Sequence, residues 1–261
     1  MRLEVDPIAL SMGGQSIRWY AILTVTGCGL ALIALLRGFA RRDMERQDAE
    51  ALSFFLLVGA MAGAHLGHHL IYAPGPTLAD PARLLLFGAG LSSHGAIAGG
   101  LLTTWAVSRW RGTPLLLSLD AALAACLWVF PWVRVGNFVN AEILGRPTDL
   151  PWGVVFVRSG DLTMRHPVQL YEALGCLGVL GVALWLERRP KGRPPGMGFF
   201  ILVGLYAAMR TVMEVFKERL VLAEDVPLSL GQVLSIPLVV GAAAAVLVLR
   251  RRGRGRQALS R

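Results

Sequence analysis

Residues 134–145 read RVGNFVNAEILG and follow the apolar run LLLSLDAALAACLWVFPWV at 115–133. An arginine, two asparagines and a glutamate thus close a segment that is otherwise suited to an oily solvent. Planar guanidinium forks match the oxygens of a phosphate or carboxylate, so Arg134 is a candidate anion ligand. A second arginine, Arg210, lies inside the apolar stretch 197–216. Tyr206, Arg210 and Glu214 recur at i, i+4 and i+8 and share one helical face. Arg210 reads equally well as a ligand and as half of a self-neutralising pair with Glu214. His94, in SSHGAIAGG, is the third candidate, because an imidazole is the natural group to take a proton from a thiol. Gly95, Gly99 and Gly100 beside it either allow close helix packing or leave room for a substrate. His65, His68 and His69 sit at helical spacing, but no Cys/His cluster elsewhere joins them, so no metal site is expected.

Such residues need a scaffold, and composition indicates which kind. Hydrophobic residues make up 54% of the 261, charged ones only 16%, and mean hydropathy is +0.55. Soluble domains carry about 25% charged residues. The expected fold is an all-α membrane protein, a single transmembrane domain over 1–261, because about 20 apolar residues cross a bilayer as a helix. Seven stretches qualify: 17–36, 51–73, 84–107, 115–135, 168–186, 197–216 and 229–249. Four connections, 37–50, 108–113, 187–196 and the tail 250–261, hold 16 of the 26 basic residues. The positive-inside rule puts them in the cytoplasm, with the N-terminus outside and a small extracytoplasmic loop region at about 138–166. Within that loop, PWGVVFVRSGD suggests a short strand pair. The net charge of +9 reads as a topology anchor at anionic headgroups, not as nucleic-acid binding. Cys28, Cys126 and Cys176 lie in apolar runs and read as small core residues. The N-terminus, MRLEVDPIALSMGGQ, shows no cleavable signal peptide.

Counting 1.5 Å per residue puts His94 roughly 15 Å along a helix begun at Leu84, near the midplane, and Arg134 roughly 28 Å along its own, at the outer boundary. Arg210, Tyr20 and His65 fall in the same outer half. Charge at such depth faces protein or water, not lipid. A cavity opening toward the outer leaflet explains the pattern.

RVGNFVNAEILGRPTD resembles the signature of prolipoprotein diacylglyceryl transferases, bacterial inner-membrane enzymes of lipoprotein maturation. IRWY at 17–20, SSHGAIAGG, RHPVQLYEA at 165–173, GFFILVGLYAAMRTVMEVFKE and LSLGQVLSIP resemble further elements of that family, in order. The second span departs from it, with His65 where the family has arginine and His68 where it has tyrosine. The resemblance implies transfer of the diacylglyceryl group of phosphatidylglycerol to the lipobox cysteine of a preprolipoprotein, with no cofactor. It implies catalytic roles for His94, Arg134 and Arg210, and substrate contacts from Tyr20, Asn137, Asn140, Glu142, Tyr206 and Glu214. The competing expectation is a non-catalytic paralogue or a lipid or anion transporter that keeps the headgroup cavity.

Overall fold

A computed structural model describes residues 1–85, 90–218 and 228–259. It is mostly helical: α1 (Trp19–Ala40), α2 (Arg46–Gly67), α3 (Pro74–Ala79), α4 (Ser93–Arg111), α5 (Leu115–Cys126), α6 (Phe130–Val139), α7 (Val168–Glu187), α8 (Met197–Met213) and α9 (Leu230–Leu259). Six stretches are long and apolar enough to cross a membrane: Trp19–Ala40, Arg46–Ile71, Leu115–Val139, Val168–Glu187, Met197–Phe216 and Gly231–Arg252. Many aliphatic and aromatic side chains on them are exposed, including Val25, Phe54, Leu174, Trp185 and Val240. That is the surface expected of helices whose solvent is lipid.

The remaining expected stretch, 84–107, is not one helix. Residues 81–85 form a 3₁₀ turn, 86–89 lie outside the described residues, and α4 begins only at Ser93. Gly90 has φ +143°, which side-chain-bearing residues avoid, and the Ser92 hydroxyl accepts a 3.1 Å hydrogen bond from the Gly95 N–H. A capped start here makes His94 a first-turn residue, so its depth cannot be counted by helical rise from Leu84.

The fold divides into two compact units, one of residues Met1–Ala34 with Leu123–Arg261, the other Leu35–Ala122. In the smaller unit α2 and α4 pack through glycine. A Cβ on Gly63 would strike the Gly95 carbonyl and lie 2.9 Å from the Gly99 Cα. A Cβ on Gly95 would strike the Gly63 carbonyl, and one on Gly99 the Gly59 carbonyl. The two backbones therefore touch, and these glycines serve packing. Gly100 is different, since a Cβ there would meet only Leu56 Cδ2 at 3.6 Å. Asp48 at the start of α2 and Arg111 at the end of α4 pair at 2.6 Å, so the helices run antiparallel.

The larger unit has its apolar core where α5, α7 and α8 meet, around Leu127, Leu180, Ala183, Leu186 and Leu202. Its strands are short. β1 (Arg2–Leu3), β4 (Val154–Phe156) and β5 (Met164–Arg165) form one sheet, ordered β1-β4-β5, with β4 parallel to β1 and antiparallel to β5. Of PWGVVFVRSGD, then, only Val154–Phe156 is extended, and its partners come from outside that stretch. β2 (Ile8–Met12) and β3 (Gln15–Arg18) make a hairpin turned by Gly13 and Gly14, at φ +55° and +80°.

Candidate active site

Pro131 cannot donate to the carbonyl one turn back, so the helix through 115–139 breaks after Cys126 and restarts as α6 with proline in its first turn. α6 then runs four residues past the expected end at 135. Arg134 is consequently not a helix-end arginine reaching for water: its side chain is 16% exposed. Its Nε lies 3.0 Å from Glu172 Oε2, and its Nη1 donates to Asn137 Oδ1 at 3.2 Å.

Glu172 links the arginines. It is 1% exposed on α7, and its other oxygen lies 2.7 Å from Lys217 Nζ. Lys217 also pairs with Glu214 Oε1 at 3.1 Å, and Glu214 pairs with Arg210 Nη2 at 3.3 Å. The result is an unbroken series, Arg134–Glu172–Lys217–Glu214–Arg210, in which charge alternates. The expected Arg210–Glu214 pair is thus formed, but Glu214 is shared instead of being neutralised by one partner. The Ser229 hydroxyl donates to Glu214 Oε2 at 3.1 Å, and a Cβ on Gly231 would collide with the Glu214 carboxylate. The LSLGQ element therefore seats Glu214 against the start of α9.

Past α6 the backbone tightens. Ala141 and Ile143 have φ +55° and +57°, a region costly for a residue with Cβ and more so for a β-branched one. Between them Glu142 accepts from Asn137 Nδ2 at 3.0 Å and from Asn140 Nδ2 at 3.1 Å. Buried Gln169 of α7 donates to the Glu142 carbonyl at 2.6 Å, which holds the strained turn from behind. A Cβ on Gly136 would lie 2.7 Å from the Tyr20 ring, so the glycine of RVGN is what admits Tyr20 against α6. Arg134 and Glu142 both act electrostatically on Tyr20. The fields of Arg134 and Arg210 both reach Tyr206 and Cys176. An open cavity of about 490 Å³ is lined by Ser16, Ile17, Arg18, Tyr20, Ala21, Asn140 and Glu142. Eight of the nine expected site residues therefore gather in one unit, and His94 belongs to the other.

The RHP element braces the same region from the loop side. Arg165 donates to Asp161 Oδ2 at 2.6 Å and to the Gly145 carbonyl at 3.0 Å, and it pairs with Glu218 at 3.3 Å. Burial and nearby Arg146 hold the His166 imidazole below its ordinary pKa. Hydrogen bonds from Thr163 and Arg165 pull the Asp161 carboxyl down to about 2. A depressed carboxyl contributes stability above its unfolded pKa of about 3.9, lost as pH falls through the folded value. A carbon NMR titration of Asp161 is expected to show a midpoint near 2. A midpoint near that unfolded value would mean the Thr163–Arg165 clasp does not form.

The histidines at the end of α2 and in the turn that follows it are held locally. His65 Nε2 lies 2.9 Å from the Leu84 carbonyl and His69 Nδ1 2.9 Å from Thr77 Oγ1. Among the described residues no group of three His, Cys, Asp or Glu could hold a metal ion. The three cysteines are unbridged.

Residues 7–248 match the family model described as prolipoprotein diacylglyceryl transferase. The chain belongs to this family. It is 34% identical to the phosphatidylglycerol–prolipoprotein diacylglyceryl transferase of Cupriavidus metallidurans, over 99% of this chain and 98% of that protein. It is 36% identical to the enzyme of that name from Tolumonas auensis, over 94% and 95%, and 34% identical to that of Porphyromonas gingivalis, over 90% of each. Glu172, Lys217 and Gln169 join this cluster but lie outside the residues that the resemblance implies. The signal for Glu172 was present: an ionisable residue five positions into an otherwise apolar helix, inside the RHPVQLYEA element.

Proposed function

We propose that the protein transfers the diacylglyceryl group of phosphatidylglycerol to the lipobox cysteine of a preprolipoprotein at the outer leaflet of a bacterial cytoplasmic membrane. The observation that carries this reading is the ion-pair series joining two largely buried guanidinium groups beside Tyr206. In the proposed step the cysteine thiolate attacks the glycerol carbon that bears the phosphate ester. A carbon–sulfur bond forms, the carbon–oxygen bond breaks, and the electron pair leaves on the phosphate oxygen of glycerol phosphate. Arg134 and Arg210 take up the charge that develops there. Asn137, Asn140 and Glu142 orient Arg134 and the headgroup hydroxyls, Tyr20 and Tyr206 border the headgroup, and Glu214 orients Arg210. His94 is the base for the thiol.

Seven crossings with the N-terminus outside and the C-terminus cytoplasmic complete the proposal. Its support is that α4 packs antiparallel along α2 for several turns, so a bilayer crossed by one is crossed by the other. In this topology the Asp48–Arg111 pair and the basic connections share the cytoplasmic side.

The deciding experiment mixes membranes containing the protein with phosphatidylglycerol and a lipobox peptide. The peptide is expected to gain the diacylglyceryl mass as glycerol phosphate is released. Headgroup binding without that gain would instead indicate a binding or transport protein. His94→Gln tests the base. Without a base the rate follows unaided thiol ionisation, which rises toward about pH 8.5, so the deficit relative to wild type is expected to be larger at acidic than at alkaline pH. A deficit that does not change with pH would make His94 structural.

A further inference from the structure

We propose that Glu172 and Lys217 are positioning residues that set the net charge of the anion site, so that it holds a singly charged phosphodiester and releases a doubly charged phosphomonoester. The inference rests on the transfer reaction proposed above and adds a role for two residues outside the expected site.

The series Arg134–Glu172–Lys217–Glu214–Arg210 contains three cations and two anions joined by direct contacts of 2.7–3.3 Å, leaving one positive charge in excess. Glu172 and Lys217 are the most enclosed of the five, at 1% and 10% side-chain exposure. Charges so shielded from water interact at an effective dielectric far below that of bulk solvent. Among the described residues, Glu142 reaches Arg134 through Asn137, while nearby Arg165 is paired with its own carboxylates, Asp161 and Glu218. They stay constant in the variants below.

The two ends of the reaction differ in charge. A phosphatidylglycerol diester carries one negative charge, which the series neutralises. Glycerol phosphate is a monoester with a second pKa of about 6, so it carries close to two at neutral pH. The extra charge falls among guanidiniums already partly neutralised by Glu172 and Glu214. The same buried carboxylates that orient the clamp therefore weaken its hold on the product.

A purely structural salt-bridge network predicts that removing either residue loosens the site. The charge-setting role predicts opposite effects. Full-length protein in phosphatidylglycerol vesicles, with a lipobox peptide, gives KM for the lipid and the inhibition constant of added glycerol 1-phosphate. Glu172→Gln is expected to tighten glycerol 1-phosphate inhibition by about tenfold, lowering kcat with little rise in KM. Lys217→Gln is expected to raise KM for the lipid by about tenfold and to relieve inhibition. The double variant restores the original net charge, and its inhibition constant is expected to return toward wild type. Glu172→Asp and Lys217→Arg, which keep the charges, leave inhibition as it was. Shifts of the same sign in the two single variants, or a double variant no closer to wild type than either, overturn the proposal. If Glu172→Gln does not insert, Lys217→Gln decides alone: unchanged inhibition rejects the role. Absence of any transfer by the wild type would instead reject the reaction on which the inference rests.

Discussion

Arg134→Ala is expected to abolish transfer, with a loss of at least about a thousandfold, while Arg134→Lys loses about a hundredfold. Removing one donor from a developing oxyanion costs about 10²–10³ in rate. Here the side chain also compensates buried Glu172, and stripping a partner from a buried pair costs roughly 3–5 kcal/mol. The alanine variant therefore combines a catalytic and a structural loss. Lysine separates them: it keeps a positive charge near Glu172 but lacks the fork that reaches Glu172 and Asn137 together. The check pairs membrane-inserted protein, measured by immunoblot, with diacylglyceryl transfer to a lipobox peptide. Near-normal turnover by Arg134→Lys at normal protein levels would remove the planar clamp from the mechanism.

The second large effect is expected far from the chemistry. Gly63→Val places a side chain where the α2 and α4 backbones already touch, against the Gly95 carbonyl and the Gly99 Cα. Overpacking ordinarily costs about 1–3 kcal/mol where side chains can shift. Backbone on both sides cannot, so the cost belongs at or above the top of that range. At about 2–4 °C of Tm per kcal/mol, a fall of about 10 °C is expected for the purified protein in detergent. Gly100→Ala is the control, because its Cβ would find only ordinary contact with Leu56. Its Tm is expected to match wild type. If Gly63→Val kept its Tm and lost only activity, the glycines would be serving substrate room and not helix contact.

Residue types and apolar lengths were enough to locate six helices long and apolar enough to cross a membrane, to within a few residues, since a bilayer imposes its thickness on any chain that spans it. They also picked out Arg134, Asn137, Asn140, Glu142, Arg210 and Glu214, because polar groups carried into such helices need a reason to be there. What they could not supply was partnership. Glu172 lies 38 positions from Arg134 and 45 from Lys217 in the chain, and only the meeting of α6, α7 and the end of α8 makes one carboxylate serve both. Likewise Ser92 and Gly90 start α4 late, which periodicity within an apolar run does not reveal, and His94 moves from mid-helix to the first turn. The positive φ angles of Ala141 and Ile143 are imposed by contacts from Asn137 and Gln169, not by local preference. Solvent selects residue types along the sequence, and that selection is local. Charge pairing and backbone strain arise between distant segments, so they exist only once the helices have packed.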